Sequence, residues 1–515
     1  MTQYDLATLQ RLSYRRQFIL GPRFADGFPS WRRIPLSGTL FLTVHPDLDA
    51  CRVARDDKWI ALLGYILDPS QPAAGNEDIL RGLLDTFHAC ADLPEQTDRF
   101  GGRYLLVAHD GVRTVLFADA AGLRQVVYTT GSAAGQLWCA SQTPLLAEVV
   151  DLPLDAEALA FVQPDDPQSG NRMIWLPGDA TLHAGIKLLL PNHYLDLGTG
   201  RPIRYWPTAN LPVVPLRAAV TASSEILGGL VESAGRRFDV MLAMTAGWDS
   251  RLTLAAARSV AQRAFLYTAV FRYTAEGASD VTTPASLLSK LGLQHHILDC
   301  RHEVDDEFAG IYRRNVAPVH DQYAPVAQAL LDRTPREGVR TTGDVGEVAK
   351  CVYRVGPSSN RDVTARDLAV LTRLPPHRFV LSAFESWLSE ARAHCCNVPL
   401  MDLFYWEQEA GRLQGMIQAE CEIARESFAP LNCRRLLATM LSVPEPFRQE
   451  PVFEFFRLIM ERLWPDVLLV PINGQPQVGT EAVLRRTLEN LRLLRLVPKP
   501  VKGLAKMLIR GLRTP

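Results

Sequence analysis

Between residues 17 and 205 the chain carries short runs of β-branched, aliphatic and aromatic residues, each broken by Gly, Asp or Ser. Residues 17–20, 38–44, 103–108, 114–117, 125–128 and 137–140 have strand length, and the turn residues between them predict an antiparallel sheet. Helical spacing over 77–90 and 155–162 makes this first unit α+β. After Tyr205-Trp206-Pro207 the pattern changes: a proline-bracketed segment, 207–215, leads into a helix-like run over 217–236. That places a domain boundary near 207, dividing the chain into 1–207 and 208–515. Beyond it apolar runs alternate with helical patterns: 238–244 before a helix from Asp249, then 264–270 before a helix from Asp280, with further strands over 295–298 and 339–341. Such alternation predicts an α/β unit with a parallel sheet and crossover helices. From about 365 to 515 the pattern is mostly helical.

Composition narrows the classes. At 515 residues the chain is long enough for two or more cores. Hydrophobic residues make up 47% and charged residues 22%, an ordinary globular composition. Basic and acidic residues number 55 and 56, so no global field draws nucleic acid or an anionic membrane. No apolar run is long enough for a transmembrane helix and no signal core follows Met1, which predicts a cytoplasmic protein. The nine cysteines are scattered without a CxxC pair, so reduced thiols are expected rather than zinc or disulfides.

Candidate chemistry concentrates at the end of the 238–244 run, which continues as Thr245-Ala246-Gly247-Trp248-Asp249-Ser250 into an Ala-rich helix. Two readings fit. One is a tight strand-to-helix turn capped by Asp249 or Ser250. The other is a phosphate site, with loop N–H groups and the positive helix end converging, hydroxyls from Thr245 and Ser250, and a carboxylate from Asp249 for Mg²⁺. Downstream, Thr342-Gly343-Asp344-Val345-Gly346-Glu347 is a second acidic turn at the end of a strand.

The first segment resembles the Ser-Gly-Gly-x-Asp-Ser pyrophosphate loop of the asparagine synthetase family, with Thr245 for Ser and Ala246 for the first Gly. An Ala there costs backbone freedom if the position needs a positive φ. The second resembles that family's Ser-Gly-Asp-Gly-x-Asp-Glu, with Val345 for a Gly and Val348 for the final Glu. Between them, residues 280–298 resemble the family's helix ending in Leu-Gly and followed by a His-His strand; His295 and His296 point to opposite sides of that strand and are read as structural. Glu426 to Asn432 weakly resembles Glu-x-Arg-x-Pro-Phe-Leu-Asp. In the first half, residues 100–110, 117–122, 127–128 and 137–141 resemble the family's glutamine amidotransferase domain, and 185–206 its closing strands.

The resemblance implies a degenerate Ntn-hydrolase-like antiparallel sandwich followed by a PP-loop, adenine nucleotide α hydrolase-like domain with a helical end. It further implies ATP and Mg²⁺ as cofactors. Thr245, Ala246, Gly247, Trp248, Asp249, Ser250, Thr342 and Gly343 would cradle phosphate; Asp249, Asp344 and Glu347 would hold the metal. The family hydrolyses glutamine with a Cys exposed as residue 1. Here Thr2 stands in that place, ahead of a first strand near Gln17, and Cys51 has no free amine. The implied activity is therefore an amide-forming ligase that activates a carboxylate as an acyl-adenylate for attack by ammonia or an amine, as in the related β-lactam synthetases and lasso-peptide cyclases. The alternatives are a non-catalytic scaffold in a biosynthetic complex and a true glutamine-dependent asparagine synthetase. A carboxylate, an amine donor and a homodimer or biosynthetic partner are the implied partners.

Lysine is scarce: 7 of the 55 basic residues, and none between Cys351 and Pro498. The family places a Lys late in the chain to neutralise pyrophosphate. Here Arg448, Arg457 or Arg462 are candidates for that charge, and Lys350, three residues after Glu347, points at the same loop if the segment is helical. Residues 405–409 and Trp464-Pro465 are read as core. The stretch 491–515, with seven basic residues and no acids, reads either as a segment lying on an anionic membrane or a partner, or as a solvated or frayed helix.

Overall fold

The computed structural model describes residues 4–130, 136–162, 175–318, 320–335, 337–353 and 362–473. Thr2 and the basic stretch 491–515 lie outside them. Twelve strands build the first unit: β1 (Phe18–Gly21), β2 (Arg32–Pro35), β3 (Phe41–Val44), β4 (Ala50–Arg55), β5 (Lys58–Leu67), β6 (Gly101–His109), β7 (Thr114–Ala118), β8 (Val127–Thr129), β9 (Cys139–Ala140), β10 (Ile186–Leu188), β11 (His193–Asp196) and β12 (Arg201–Arg204). They form two antiparallel six-stranded sheets, ordered β10-β8-β9-β1-β3-β2 and β12-β11-β7-β6-β5-β4. Alternation sorts the side chains. Phe18, Leu20, Leu42 and Val44 of the first sheet pack against Trp59, Leu63, Leu105 and Val107 of the second. The second sheet's other face, with Ile60, Leu62 and Leu106, is covered by Ile79, Leu80, Leu83 and Leu84 of the helix Asn76–Thr86.

β4 and β5 go beyond the sequence-based expectations. Nine of the ten residues of β5 are buried, because it lies under sheet and helix at once; its run is then continuously apolar, without the alternation that marks a half-exposed strand. The predicted run over 38–44 narrows to β3 because residues 36–40 turn back, the Leu36 and Ser37 N–H groups both donating to the Leu40 carbonyl.

The second unit follows the helix Leu216–Arg237. Its strands β13 (Asp239–Ala243), β14 (Phe265–Val270), β15 (His296–Asp299), β16 (Gly338–Thr341) and β17 (Ser427–Phe428) form one parallel sheet ordered β15-β14-β13-β16-β17. Leu242 and Leu266 point toward Leu227, Leu230 and Leu252 on one face. Met241 and Tyr267 point toward Phe308, Ile311 and Leu330 on the other. Both faces are helix-covered, and the strand order reverses between β13 and β16. The crevice at such a reversal, outside the carboxyl ends of the strands, is where open α/β sheets bind ligands.

The helical end contains a π-helix, Tyr405–Gln414, most of whose residues are buried. Among the described residues no helix is long and apolar enough to cross a membrane.

Candidate functional site

The loop after β13 enters the helix Trp248–Ala256 through Gly247, an extended N-cap residue with no side-chain hydrogen bond to the helix end. The capping reading is thus corrected. Ser250 Oγ turns back to the Thr245 carbonyl (3.1 Å) and accepts from the Thr245 N–H (3.2 Å), while Asp249 faces away toward Lys350. The helix start keeps its N–H groups for another acceptor. Thr245 is exposed, Ala246 is buried, and Asp280 accepts the Ala246 N–H at 3.0 Å. Ala246 does not adopt a positive φ, so the loop carries Ala there without strain. Trp248 packs edge-on against Phe453, their rings 5.3 Å apart.

The second loop closes onto the first. A methyl group on Gly343 would stand 2.5 Å from Asp249 Cβ, and one on Gly346 would stand 2.4 Å from Asp249 Oδ1. Only glycine permits that approach. Between them Val345 holds a left-handed φ of 74°, a conformation that a β-branched residue adopts at a cost. The backbone thus keeps a glycine-like geometry where the side chain is not glycine. Its N–H is satisfied by Gln414 Oε1 at 2.8 Å.

Gly346–Ala349 forms a single 3₁₀ turn that swings Lys350 back over the loop. Its Nζ lies 2.5 Å from Asp249 Oδ2 and 3.8 Å from Glu347 Oε1. Burial and the charge of Glu347 push the Asp249 carboxyl up, Lys350 pulls it down, and the balance leaves it at about 6. Burial opposes the Lys350 ammonium, but Asp249 and Glu347 outweigh it and raise its pKa. Asp249 Oδ1 is buried without a hydrogen-bond partner.

Asp344 accepts from Thr342 Oγ1 (2.7 Å) and Gln418 (2.9 Å), and Glu347 Oε2 accepts from Tyr405 (2.6 Å) and Gln414 (3.2 Å). Among the described residues no three His, Cys, Asp or Glu side chains gather tightly enough to hold a metal by themselves. The donor set is hard oxygen, and the orphaned Asp249 Oδ1 seeks a cation or donor. That fits Mg²⁺, which takes one or two carboxylates and shares its remaining positions with phosphate and water.

Sequence reasoning missed several members. Tyr353 donates to Glu409 at 2.5 Å; burial, then the charge of Glu409, raises the phenol, and burial raises the carboxyl. Tyr405 and Glu409 come from the stretch 405–409 read as core, and Gln414 and Gln418 from the helical run that follows it. The available signal was the density of Glu and Gln inside an otherwise apolar helical run. The candidate late cations are placed elsewhere: Arg448 is buried on Asp402 (2.9 Å), Arg457 pairs with Glu461, and Arg462 lies 3.7 Å from Glu225. His295 bonds Thr268 Oγ1 at 2.9 Å and His296 stacks on Phe265, both structural contacts. The segment from Glu426 to Asn432 lies at the joint with the sandwich, where Asn432 accepts from the Ala121 N–H and Glu426 is bound by Arg103 and Arg124.

No family model and no curated protein matches the chain. Among solved structures it is similar to a glutamine phosphoribosylpyrophosphate amidotransferase from B. subtilis complexed with ADP and GMP, at 11% identity and a TM-score of 0.23, over 67% of this chain and 73% of that one. It is likewise similar to an allosteric regulatory enzyme of purine biosynthesis, at 10% identity and a TM-score of 0.23, over 73% of this chain and 87% of that one. Likeness at that TM-score carries no conclusion about chemistry.

Proposed function

We propose that the chain is an ATP-dependent ligase that joins a carboxylate to an amine through an acyl-adenylate, without a glutaminase of its own. What supports this reading most is the closure of Gly343 and Gly346 onto Asp249, which brings two chemically matched loops together at the reversal point of a parallel sheet. Thr245, Gly247 and Ser250, with the uncapped helix end, would hold phosphate oxygens. Asp249, joined by one of Asp344 and Glu347, would hold Mg²⁺, whose role there is to neutralise phosphate charge as a Lewis acid. A substrate carboxylate oxygen bonds to the α-phosphorus as the bond to the bridging oxygen breaks and pyrophosphate leaves. Lys350 and the loop N–H groups face the charge that accumulates on that leaving group.

The amine then bonds to the acyl carbon, AMP departs with the C–O electron pair, and the nitrogen must shed a proton. Tyr353, hydrogen-bonded to Glu409, is suited to take it, passing its own proton to a carboxylate whose affinity for protons burial has already raised. Exchange of labelled pyrophosphate into ATP, with a broad panel of carboxylates, tests the reading. Asp249→Asn abolishes the exchange, whereas Tyr353→Phe preserves it and slows amide release by about 10²-fold. No exchange with any carboxylate, together with no ATP binding by calorimetry, overturns the proposal.

A second reading, a non-catalytic binding protein, draws on Lys350 already pairing with Asp249 and on the strained Val345. It predicts that Asp249→Ala leaves ATP affinity unchanged.

A further inference from the structure

Where the π-helix Tyr405–Gln414 meets the sandwich, a cavity of about 30 Å³ is lined by Gln125 and Gln142, by Trp175 and Thr181 from the segment ahead of β10, and by Arg412 of the π-helix itself. That volume takes one or two waters, or a single monatomic anion of similar size. Ala180, Ala317 and Pro318, which also line it, are partly exposed and give it a side toward solvent.

No carboxylate among the described residues lines this cavity. Arg412 is buried, and its guanidinium donates to the carbonyls of Leu176 at 2.8 Å and Ala180 at 2.6 Å. Two neutral acceptors hold the group in place without cancelling its charge. Arg103, Arg124 and Arg204, buried at the same joint, each meet carboxylates; Arg412 makes no ion pair among the described residues. The one carboxylate whose charge bears on it, Asp179, is already paired with Lys187 at 2.8 Å, so two cations share one acid. Burial lowers the Arg412 pKa to about 10, against the opposing pull of Asp179, and the side chain stays charged at neutral pH. A guanidinium withdrawn from water without its own counter-charge is costly, and an anion beside it relieves that cost. Gln142 adds a neutral donor to the wall. Its amide donates to Gln125 Oε1 at 3.1 Å and carries a second N–H, while Gln125 is fixed in turn by donating to the carbonyls of Gly411 and Arg412.

The geometry points to a binding site for one monatomic anion, chloride in ordinary solution, seated between the Arg412 guanidinium and the Gln142 amide. The cavity's size excludes carboxylates and phosphates. Arg412 belongs to the second unit, and the carbonyls it holds belong to the first, so the anion steadies the joint between them. The site stands independently of the ligase reading.

Thermal melts of the full chain at constant ionic strength, with sulfate progressively replaced by chloride, test this. An ion that binds only the folded chain raises the midpoint as its concentration rises. Sulfate, being excluded from protein surfaces, strengthens burial, so the general salt effect of the exchange runs the other way. The wild-type midpoint therefore rises with chloride, whereas that of Arg412→Met falls. Lys350→Met, which removes the cation at the Asp249 loop, keeps the wild-type response. Crystals of the wild-type chain soaked in bromide show an anomalous peak in contact with the Arg412 guanidinium. The inference is overturned if the wild-type midpoint does not rise, if Arg412→Met responds as wild type does, or if Lys350→Met is the variant that loses the response. Bromide found only on the molecular surface overturns it equally. Should Arg412→Met fail to melt cooperatively, the bromide position decides.

Discussion

Asp249 is the residue on which both loops converge, and its ionisation dictates a pH dependence. Its folded pKa of about 6 lies above the ordinary carboxylate value of 3.8, so between the two the unfolded chain has lost a proton that the folded chain retains. Folding takes up a proton there, and stability falls as pH rises through that window. Binding that needs the carboxylate runs the other way: under the proposed ligase reading, affinity for Mg²⁺-ATP rises as pH passes 6 and levels off above 7. Lys350→Met removes the charge that lowers this pKa, so the midpoint of an affinity-against-pH titration moves upward. Gly346→Ala drives a methyl into Oδ1, and overpacking of this kind costs about 1–3 kcal/mol by urea denaturation. Val345→Gly behaves differently, because it relieves the left-handed strain while giving up a buried side chain. Each effect is about 1–3 kcal/mol and the two oppose each other, so the loss is smaller than the lost burial alone would give. The same substitution at buried Val348, which is not strained, loses several times more.

Among the elements, the π-helix Tyr405–Gln414 sets the site's wall. Tyr405 and Gln414 both reach Glu347 and lie 3.3 Å from each other, although nine residues separate them. Winding at 3.6 residues per turn would place them on opposite faces. The wider i→i+5 winding returns them to one face, a juxtaposition that a 3.6-residue periodicity does not anticipate. Gln414→Ala orphans the buried Val345 N–H and costs about 1–3 kcal/mol in chemical denaturation. Strands flanked by turn residues, such as β1, β6 and β7, were legible from local pattern, and so was the β13 loop, since its chemistry is contiguous. The hydrogen-bond partners of Glu347 were not legible, because Tyr405 and Gln414 meet it only through the tertiary fold. Lys350 lay between: its spacing from Glu347 was readable, its 3₁₀ turn and its seat on Asp249 were not.

At the scale of the whole molecule, the two units are locked by buried charge. Arg103 and Arg124 of the sandwich side meet Glu422 and Glu426 ahead of β17, all four nearly or fully enclosed. Removing one partner of such a set leaves carboxylates under-compensated at a cost of about 3–5 kcal/mol. Arg103→Met therefore lowers stability by that amount in denaturant titrations. Because the lock couples both units, the wild-type chain melts in one calorimetric transition rather than two.

The segment preceding β1 ties across the same joint. The Tyr14 N–H donates to Asn315, and Arg15 to the carbonyls of Ile423 and Ala424, the last a contact 409 residues away in sequence. At a synthesis rate of about 5–20 residues per second, those acceptors emerge from the ribosome some 20–80 s after Arg15 does. Throughout that interval the early segment holds only contacts within its own unit, such as Arg15 to Asp47 and Tyr14 to Glu148, so the joint closes only when nearly all of the two units has been made.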